Sequence, residues 1–529
     1  MKKVLALILA VLMLLPVLVA CNGSGNGETT TKAPETSTPT PGATSGTITD
    51  TNTPTTGGNT PETTPPPAST APAAPALPEV NYADTSFRVI STVDFSSATA
   101  WGNYEIVVAD EALLVATELK ESINKRNTNL KNSIGVTIEQ ISGGSSSNMY
   151  NTVGRSVARG NDEYDMVILR TKEAAQLAQK GYVASVQDDL THISLHEEFY
   201  DEKAAQQLAV KGKNFFFISD ITVLNVDATW LYYFNVDLID EYDLENPYEL
   251  LANDNWTIDK LLEMAEKATS DDGDNEWTKN DNWGIAGHGF VATAMFFGSG
   301  MHIAETQADG SIKLTMNDTR ITDFMTKVTQ LHPYWARYSI HGSGEPFGFV
   351  SGDNYGELTT MYAQGNTLFM GEVLAQSRDN SLGGGDEDMS IGMLPTPKLN
   401  KEQANYYTPV TSSVATVTCI PTTACGKDLV KASIIVEAWA RESSETVMEV
   451  YIEQCQKSRY CKEPISAETI ETIFDSIYYD IGDMFGWGSL TSELQKIIFD
   501  GDTDFASMYK QKAEAAETAI KEFLAAFKK

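Results

Sequence analysis

From about Asn81 to Lys529 the sequence predicts an α/β protein of two lobes, each a mainly parallel sheet flanked by helices, with a helical C-terminal region. Three observations lead there. Short β-branched runs alternate with helix-length amphipathic stretches, the alternation occurs in two successive blocks, and about 450 residues are too many for one simple core.

In the first block, Ser86 to Val93 is a β-branched run bounded by polar residues and reads as a strand. A helix is expected from about Glu105 to Asn132, with Leu113, Leu114, Thr117 and Ile123 at helical spacing and Gly135 ending it. Val136 to Ile141 alternates like a strand, and a helical stretch carrying Val153 and Val157 follows. Tyr164 to Leu169 is nearly continuous apolar, as in a buried parallel strand covered on both faces. Glu173 to Lys180 is an Ala-rich helix with Gly181 placed to cap its C-terminus. Strand–helix–strand–helix–strand is the order of a parallel sheet with crossover helices. In the second block, Phe215 to Ile218 and Leu231 to Phe234 are strand-like. Thr257 caps a helix to Ala268 that carries Ile258, Leu261, Leu262, Ala265 and Ala268 on one face. A further helix ends near Gly365 and leads into a strand from Thr367 to Met370, and the tail from about Lys427 is largely helical.

The N-terminal part has a different character. Lys2 and Lys3 precede an apolar run from Val4 to Ala20, the parts of a secretory signal peptide over residues 1–20. The run is short for a membrane span. Residues 21–80 open with Cys21 and continue in Ser, Thr, Pro, Gly, Ala and Asn, too poor in apolar bulk to offset the entropy of ordering. This linker is expected to be disordered, with a reach on the order of 150 Å where polyproline geometry holds. The chain has a formal charge of −34, of which residues 1–80 hold about −2. An acidic body of this kind disfavours nucleic acid and free anionic ligands and suits neutral or cationic ones. Cys419, Cys425, Cys455 and Cys461 form two pairs with equal spacing. Outside the cell such a set permits one or two disulfides; free buried thiols and, with less fitting spacing, a four-thiolate zinc site are the alternatives.

Leu18-Val19-Ala20-Cys21 resembles the lipobox of bacterial lipoproteins, which implies acylation of Cys21 and an extracytoplasmic chain anchored to the cell membrane. Several later stretches, in one order, resemble the extracellular solute-binding proteins of ABC importers, of the large carbohydrate-type (family 1) class. They are Tyr164-Asp165-Met166-Val167-Ile168; Phe215 to Ile218 followed by Trp230-Leu231-Tyr232-Tyr233-Phe234-Asn235; Asn246-Pro247-Tyr248-Glu249-Leu250 with Asn255-Trp256-Thr257; and Gln364-Gly365-Asn366-Thr367-Leu368-Phe369. The resemblance implies the two-lobed periplasmic-binding-protein-like fold of type II. Lobe 1 then spans 81–222, lobe 2 spans 223–411, and each takes part of 412–529, with crossings near 218–226 and 406–418. It implies a monomer that closes on a sugar or oligosaccharide and delivers it to the transmembrane subunits of a permease, without catalysis and without a cofactor. The absence of a Gly-rich phosphate loop ending in Gly-Lys-Ser/Thr, of a Gly-x-Ser-x-Gly elbow and of His-Glu-x-x-His agrees with that. A secreted glycoside hydrolase, or a binder of peptides or another small solute on the same scaffold, are the alternatives.

Ligands in open α/β sheets bind outside the carboxyl ends of strands. That rule selects Asp94 and Phe95 after the first strand, and Arg170 and Thr171 after Leu169. Asp94 is a hydroxyl acceptor or a solvated loop acid; Arg170 is a ligand clamp or half of a structural ion pair. The resemblance adds Phe290, Glu372, Phe485 and Trp487, with Trp487 as the best single stacking platform against the alternative of core packing, and Trp230 reads as hinge or core. Asp272, Asp274 and Asp281 fall at calcium-ligand positions of a loop over 270–281 that resembles an EF-hand loop; a polar surface turn is the preferred reading, with calcium as the alternative. His192 and His196, four apart and without a third ligand, read as exposed helix histidines.

Overall fold

The computed structural model describes residues 77–93, 102–108, 117–338, 355–377, 389–456 and 467–527. Cys21, the linker, Asp94 and Phe95 lie outside the described residues, as do Cys461 and the side chain of Cys455.

Strand β1 (Thr85–Ser91) is followed by α1 (Thr117–Ile134), β2 (Val136–Ser142), α2 (Ser146–Ala158), β3 (Met166–Arg170) and α3 (Thr171–Gln179). Gly135, at φ +71°, turns α1 into β2, and Gly181, at φ +68°, closes the end of α3, conformations that cost glycine least. β1 pairs in parallel with both β2 and β3. The expected start of α1 near Glu105 is corrected. Residues 105–108 are non-helical, and the buried Arg126 guanidinium of α1 donates to the carbonyls of Glu105 (2.5 Å) and Ile106 (2.9 Å). Those carbonyls are the acceptors that a buried arginine needs, so the segment is held as a packed loop.

The second sheet is built from β4 (Trp230–Asn235), β5 (Trp283–His288), β6 (Trp335–Tyr338), β7 (Thr367–Val373) and β8 (Ile391–Leu394), in the order β8–β4–β7–β5–β6. β7 runs parallel to β5 and antiparallel to β4. Every residue of β4 and β7 is buried, with helices α4 (Ile258–Ala268), α5 (Phe290–Gly298) and α6 (Tyr355–Ala363) packed around them. Thr257 caps α4 by accepting from the Lys260 amide, as expected; Met264 rather than Leu262 completes the buried face. Trp256, fully buried, donates to the Pro395 carbonyl at 2.8 Å and packs on Phe369.

Strand β9 (Thr416–Cys419) then returns to the first sheet, antiparallel to β3, giving the order β9–β3–β1–β2. The chain therefore crosses between the sheets twice, and the crossings lie side by side. Phe217 bridges Thr418 and Thr229 bridges Val410. Between these points the buried Asn225 donates to the Thr416 carbonyl (2.6 Å) and accepts from the Thr416 amide (2.8 Å). The strand expected at Phe215 to Ile218 is reduced to that single bridge at Phe217, because the crossing uses the residues around it for turns. After β9 come α7 (Leu429–Ser443) and further helices, ending in α8 (Phe505–Ala526). No helix among the described residues is long and apolar enough to cross a membrane. His192 and His196 sit in turns rather than on a helix, and His196 pairs with Glu202 at 2.8 Å.

Candidate functional site

The order of the second sheet brings three strand ends to one edge. Because β4 is antiparallel to β7, Trp230 at its start lies opposite Val373 at the end of β7. Because β5 is parallel to β7, Gly287 lies opposite Gly371, so His288 and the start of α5 at Phe290 reach the same edge. A Cβ at either Gly287 or Gly371 would come within 2.6 Å of a Val291 methyl. The two glycines let α5 sit directly on the strand ends, and that close seating presents Phe290 beside Trp230, ring centroids 6.1 Å apart.

Two adjoining cavities open there. One of about 280 Å³ is walled by Trp230, Phe290, the crossing segment 409–413, and a late helical region contributing Asp483, Thr491 and Gln495. The other, of about 360 Å³, is lined by Trp230, His288, Phe290, Glu372, Gln376 and again Thr411 and Ser413. Their shared wall of two aromatic rings and two hydroxyl residues makes them parts of one cleft.

The charged groups of this cleft differ in how well they are satisfied. Arg170 reaches it from the end of β3, its guanidinium donating to the Ser413 carbonyl and to Glu173, each at 3.5 Å. Asp483 is half-buried, with its carboxyl raised above the usual range by desolvation; Thr491 donates to it at 2.7 Å, and Ser412 also bonds to it. Glu372 is 4% exposed; one oxygen accepts from the Val373 amide at 2.9 Å and the other has no partner among the described residues. Burial pushes its carboxyl up to about 8. His288 stacks on Phe290 at 4.7 Å and accepts from the Phe290 amide through Nδ1.

Of the residues selected from the sequence, Phe290 and Glu372 line the cleft and Arg170 touches its wall at Ser413. Thr171 is buried beside Met484, its hydroxyl 3.8 Å from the sulfur. Phe485 and Trp487 are placed elsewhere, which corrects the expectation of a stacking platform. Trp487 is 5% exposed and packs on Phe485 and Phe523 at 5.2 Å. Gly486 between them is left-handed, at φ +64°, and lines the cavity, so the turn faces its backbone to the cleft and its rings to α8. Trp230, read from the sequence as hinge or core, is an aromatic wall of both cavities. Thr411-Ser412-Ser413 was also missed, although three consecutive hydroxyl residues within an expected crossing were a signal to follow.

The 270–281 loop is closed from within. Asp281 is fully buried and accepts from the amides of Asp272 (2.8 Å) and Thr278 (2.5 Å). The carboxylate oxygens that approach one another within 4.8 Å are those of Asp271, Asp272 and Asp274. Cys419 and Cys425 carry free thiols.

No protein-family profile matches this chain, and no curated protein matches it in sequence. Solved structures do match. A cyclo/maltodextrin-binding protein complexed with maltotetraose superposes with a TM-score of 0.51 at 12% identity, covering 84% of this chain and 98% of that one. The cyclic alpha-maltosyl-1,6-maltose binding protein from Arthrobacter globiformis gives 0.50 at 13% identity, covering 83% and 99%. The fold is the two-lobed α/β fold of the carbohydrate-type solute-binding proteins. At such identities the likeness extends to architecture over nearly the whole of those proteins.

Proposed function

We propose that this chain is the extracytoplasmic solute-binding component of an ABC importer, anchored through lipid on Cys21, which takes a sugar or oligosaccharide into the cleft and hands it unchanged to a permease. The observation that carries this reading is the composition of the cleft wall. The faces of Trp230 and Phe290 suit the apolar C–H side of a pyranose, and the hydroxyl groups of Thr411, Ser413 and Thr491 suit its polar rim. The sugar ligands of the two superposing proteins support the same reading. Paired crossings between the sheets are the means of closure, since a few residues there absorb the rotation of one lobe on the other.

Titration calorimetry of the mature chain against a panel of neutral and amino oligosaccharides tests this, with chromatography of the recovered ligand. Saturable binding with intact ligand is the expected result. Trp230→Phe is expected to weaken binding about tenfold and Trp230→Ala further, by a truncation cost of about 2 kcal/mol or more. Shortened products would point instead to a glycoside hydrolase. Failure of every saccharide to bind or raise the melting point would overturn the proposal.

A further inference from the structure

Glu372 is a buried carboxyl with one oxygen left over. Oε1 is engaged by the Val373 amide at 2.9 Å, while Oε2 has no partner among the described residues and the residue is 4% exposed. A buried polar atom in that condition needs a donor, and a buried carboxylate needs a cation or a proton. Among the described residues, the other charged groups around the cleft do not supply one. Arg170 is engaged with Glu173 and the Ser413 carbonyl, and Asp483 is acidic and bonded to Thr491 and Ser412. His288 uses Nδ1 to accept from the Phe290 amide. Glu372 lines the 360 Å³ cavity together with Trp230 and Phe290, so a guest in that cavity meets a carboxyl flanked by two aromatic walls.

We infer that the cleft prefers a saccharide bearing a protonated amine, and that Glu372 is the counter-ion that recognises it. The inference rests on the sugar-capture reading and adds the charge of the guest. An ammonium group offers three donors, which satisfies the orphan oxygen with a charge-assisted bond. The aromatic faces attract the same group electrostatically. A neutral hydroxyl gives the weaker bond and leaves the carboxyl protonated, because burial holds it near 8 in the absence of a cation. A carboxylate or phosphate guest brings no cation to Glu372 and faces the field of a chain of net charge −34.

The test uses the mature chain and a matched pair of probes, a glucosamine oligomer and its fully N-acetylated counterpart, at about pH 6, where the free amine is charged. The amine form is expected to bind about tenfold to hundredfold more tightly, the range for a hydrogen bond to a charged group. Its binding heat is expected to change with the ionisation enthalpy of the buffer, because Glu372 gives up its proton to the solution. Glu372→Gln, which keeps the shape, is expected to bring the two affinities within about twofold. Equal binding of the pair by the unaltered chain, or a preference for the amine that persists in Glu372→Gln, would overturn this inference and leave sugar capture standing. Failure of both probes and of every neutral oligosaccharide would overturn the two together.

Discussion

Replacing Asn225 by Asp changes one atom at the point where the crossings between the sheets are tied. The Asn225 amide group donates to the Thr416 carbonyl at 2.6 Å and its oxygen accepts from the Thr416 amide at 2.8 Å, in a site 1% exposed. Asp keeps the second bond but turns an oxygen toward the Thr416 carbonyl in place of the donor. Only a protonated carboxyl restores the first bond, so the folded state favours the protonated form and raises the pKa above its unfolded value of about 3.9. Full burial raises a carboxyl by up to about 3–5 units, and the Thr416 amide, which favours the ionised form, keeps the rise near the low end, about 3 units. At about 1.4 kcal/mol per unit, the variant loses about 4 kcal/mol relative to wild type at neutral pH. The sign follows from linkage. Stability equal to that of wild type is present below the unfolded pKa and is lost as pH rises through the folded pKa, that is, between about pH 4 and pH 7. For a folded unit of this size 1 kcal/mol corresponds to about 1 °C, so differential scanning calorimetry should show a gap of about 4 °C at pH 7.5 that closes toward pH 4. A gap of the same size at both pH values would show that Asn225 does not act through the two Thr416 bonds.

Two further perturbations follow from the same accounting of buried groups. Asp281→Ala removes the acceptor of two backbone amides, each bond to a charged group being worth about 1.5–3 kcal/mol, so protease cleavage within 270–281 should rise sharply. Asp274→Ala, at an exposed position, should change stability by no more than about 0.5 kcal/mol, and equal effects of the two would refute the assigned roles. Burial, and after it the nearby Asp165, pushes the Cys425 thiol up to about 12, and burial alone raises that of Cys419. Peptide mapping after iodoacetamide treatment of the native chain at pH 7.5 should find both nearly unmodified, whereas denaturation should expose both.

The fold was legible in the sequence where it depended on local period. The 3.6-residue pattern behind Thr257, the Gly135 and Gly181 stops, and the apolar runs that became β3, β4 and β7 each reflect interactions within a few residues. The misread places depended on distant partners. Residues 105–106 are held by Arg126, and Phe217 meets Thr418 about 200 residues away. The site divides in the same way. Phe290 and Glu372 sit at strand ends that a sequence reveals, but their meeting depends on the antiparallel pairing of β4 with β7, which puts Trp230 at the same edge. Trp487 was misassigned because an aromatic beside glycines in a late helix reads alike whether the rings or the backbone face the cleft. The left-handed turn at Gly486 decides between them.

The segment from Pro409 to Thr416 does two things at once. Its Thr411 amide donates to the Ala228 carbonyl of the other crossing, and its Thr416 is the partner of Asn225, so it is part of what joins the sheets. Thr411, Ser412 and Ser413 also form one wall of the cleft, with Ser412 bonded to Asp483 and the Ser413 carbonyl to Arg170. The Thr411 bond to Ala228 and the Val410 bridge to Thr229 hold this wall beside Trp230, while the Arg170 bond to the Ser413 carbonyl ties it to the end of β3, so the segment touches both sheets. On the proposed reading, ligand affinity and the angle between the sheets are therefore coupled. A guest that bonds both walls stabilises one angle by its difference in affinity between the two forms, and by no more than that.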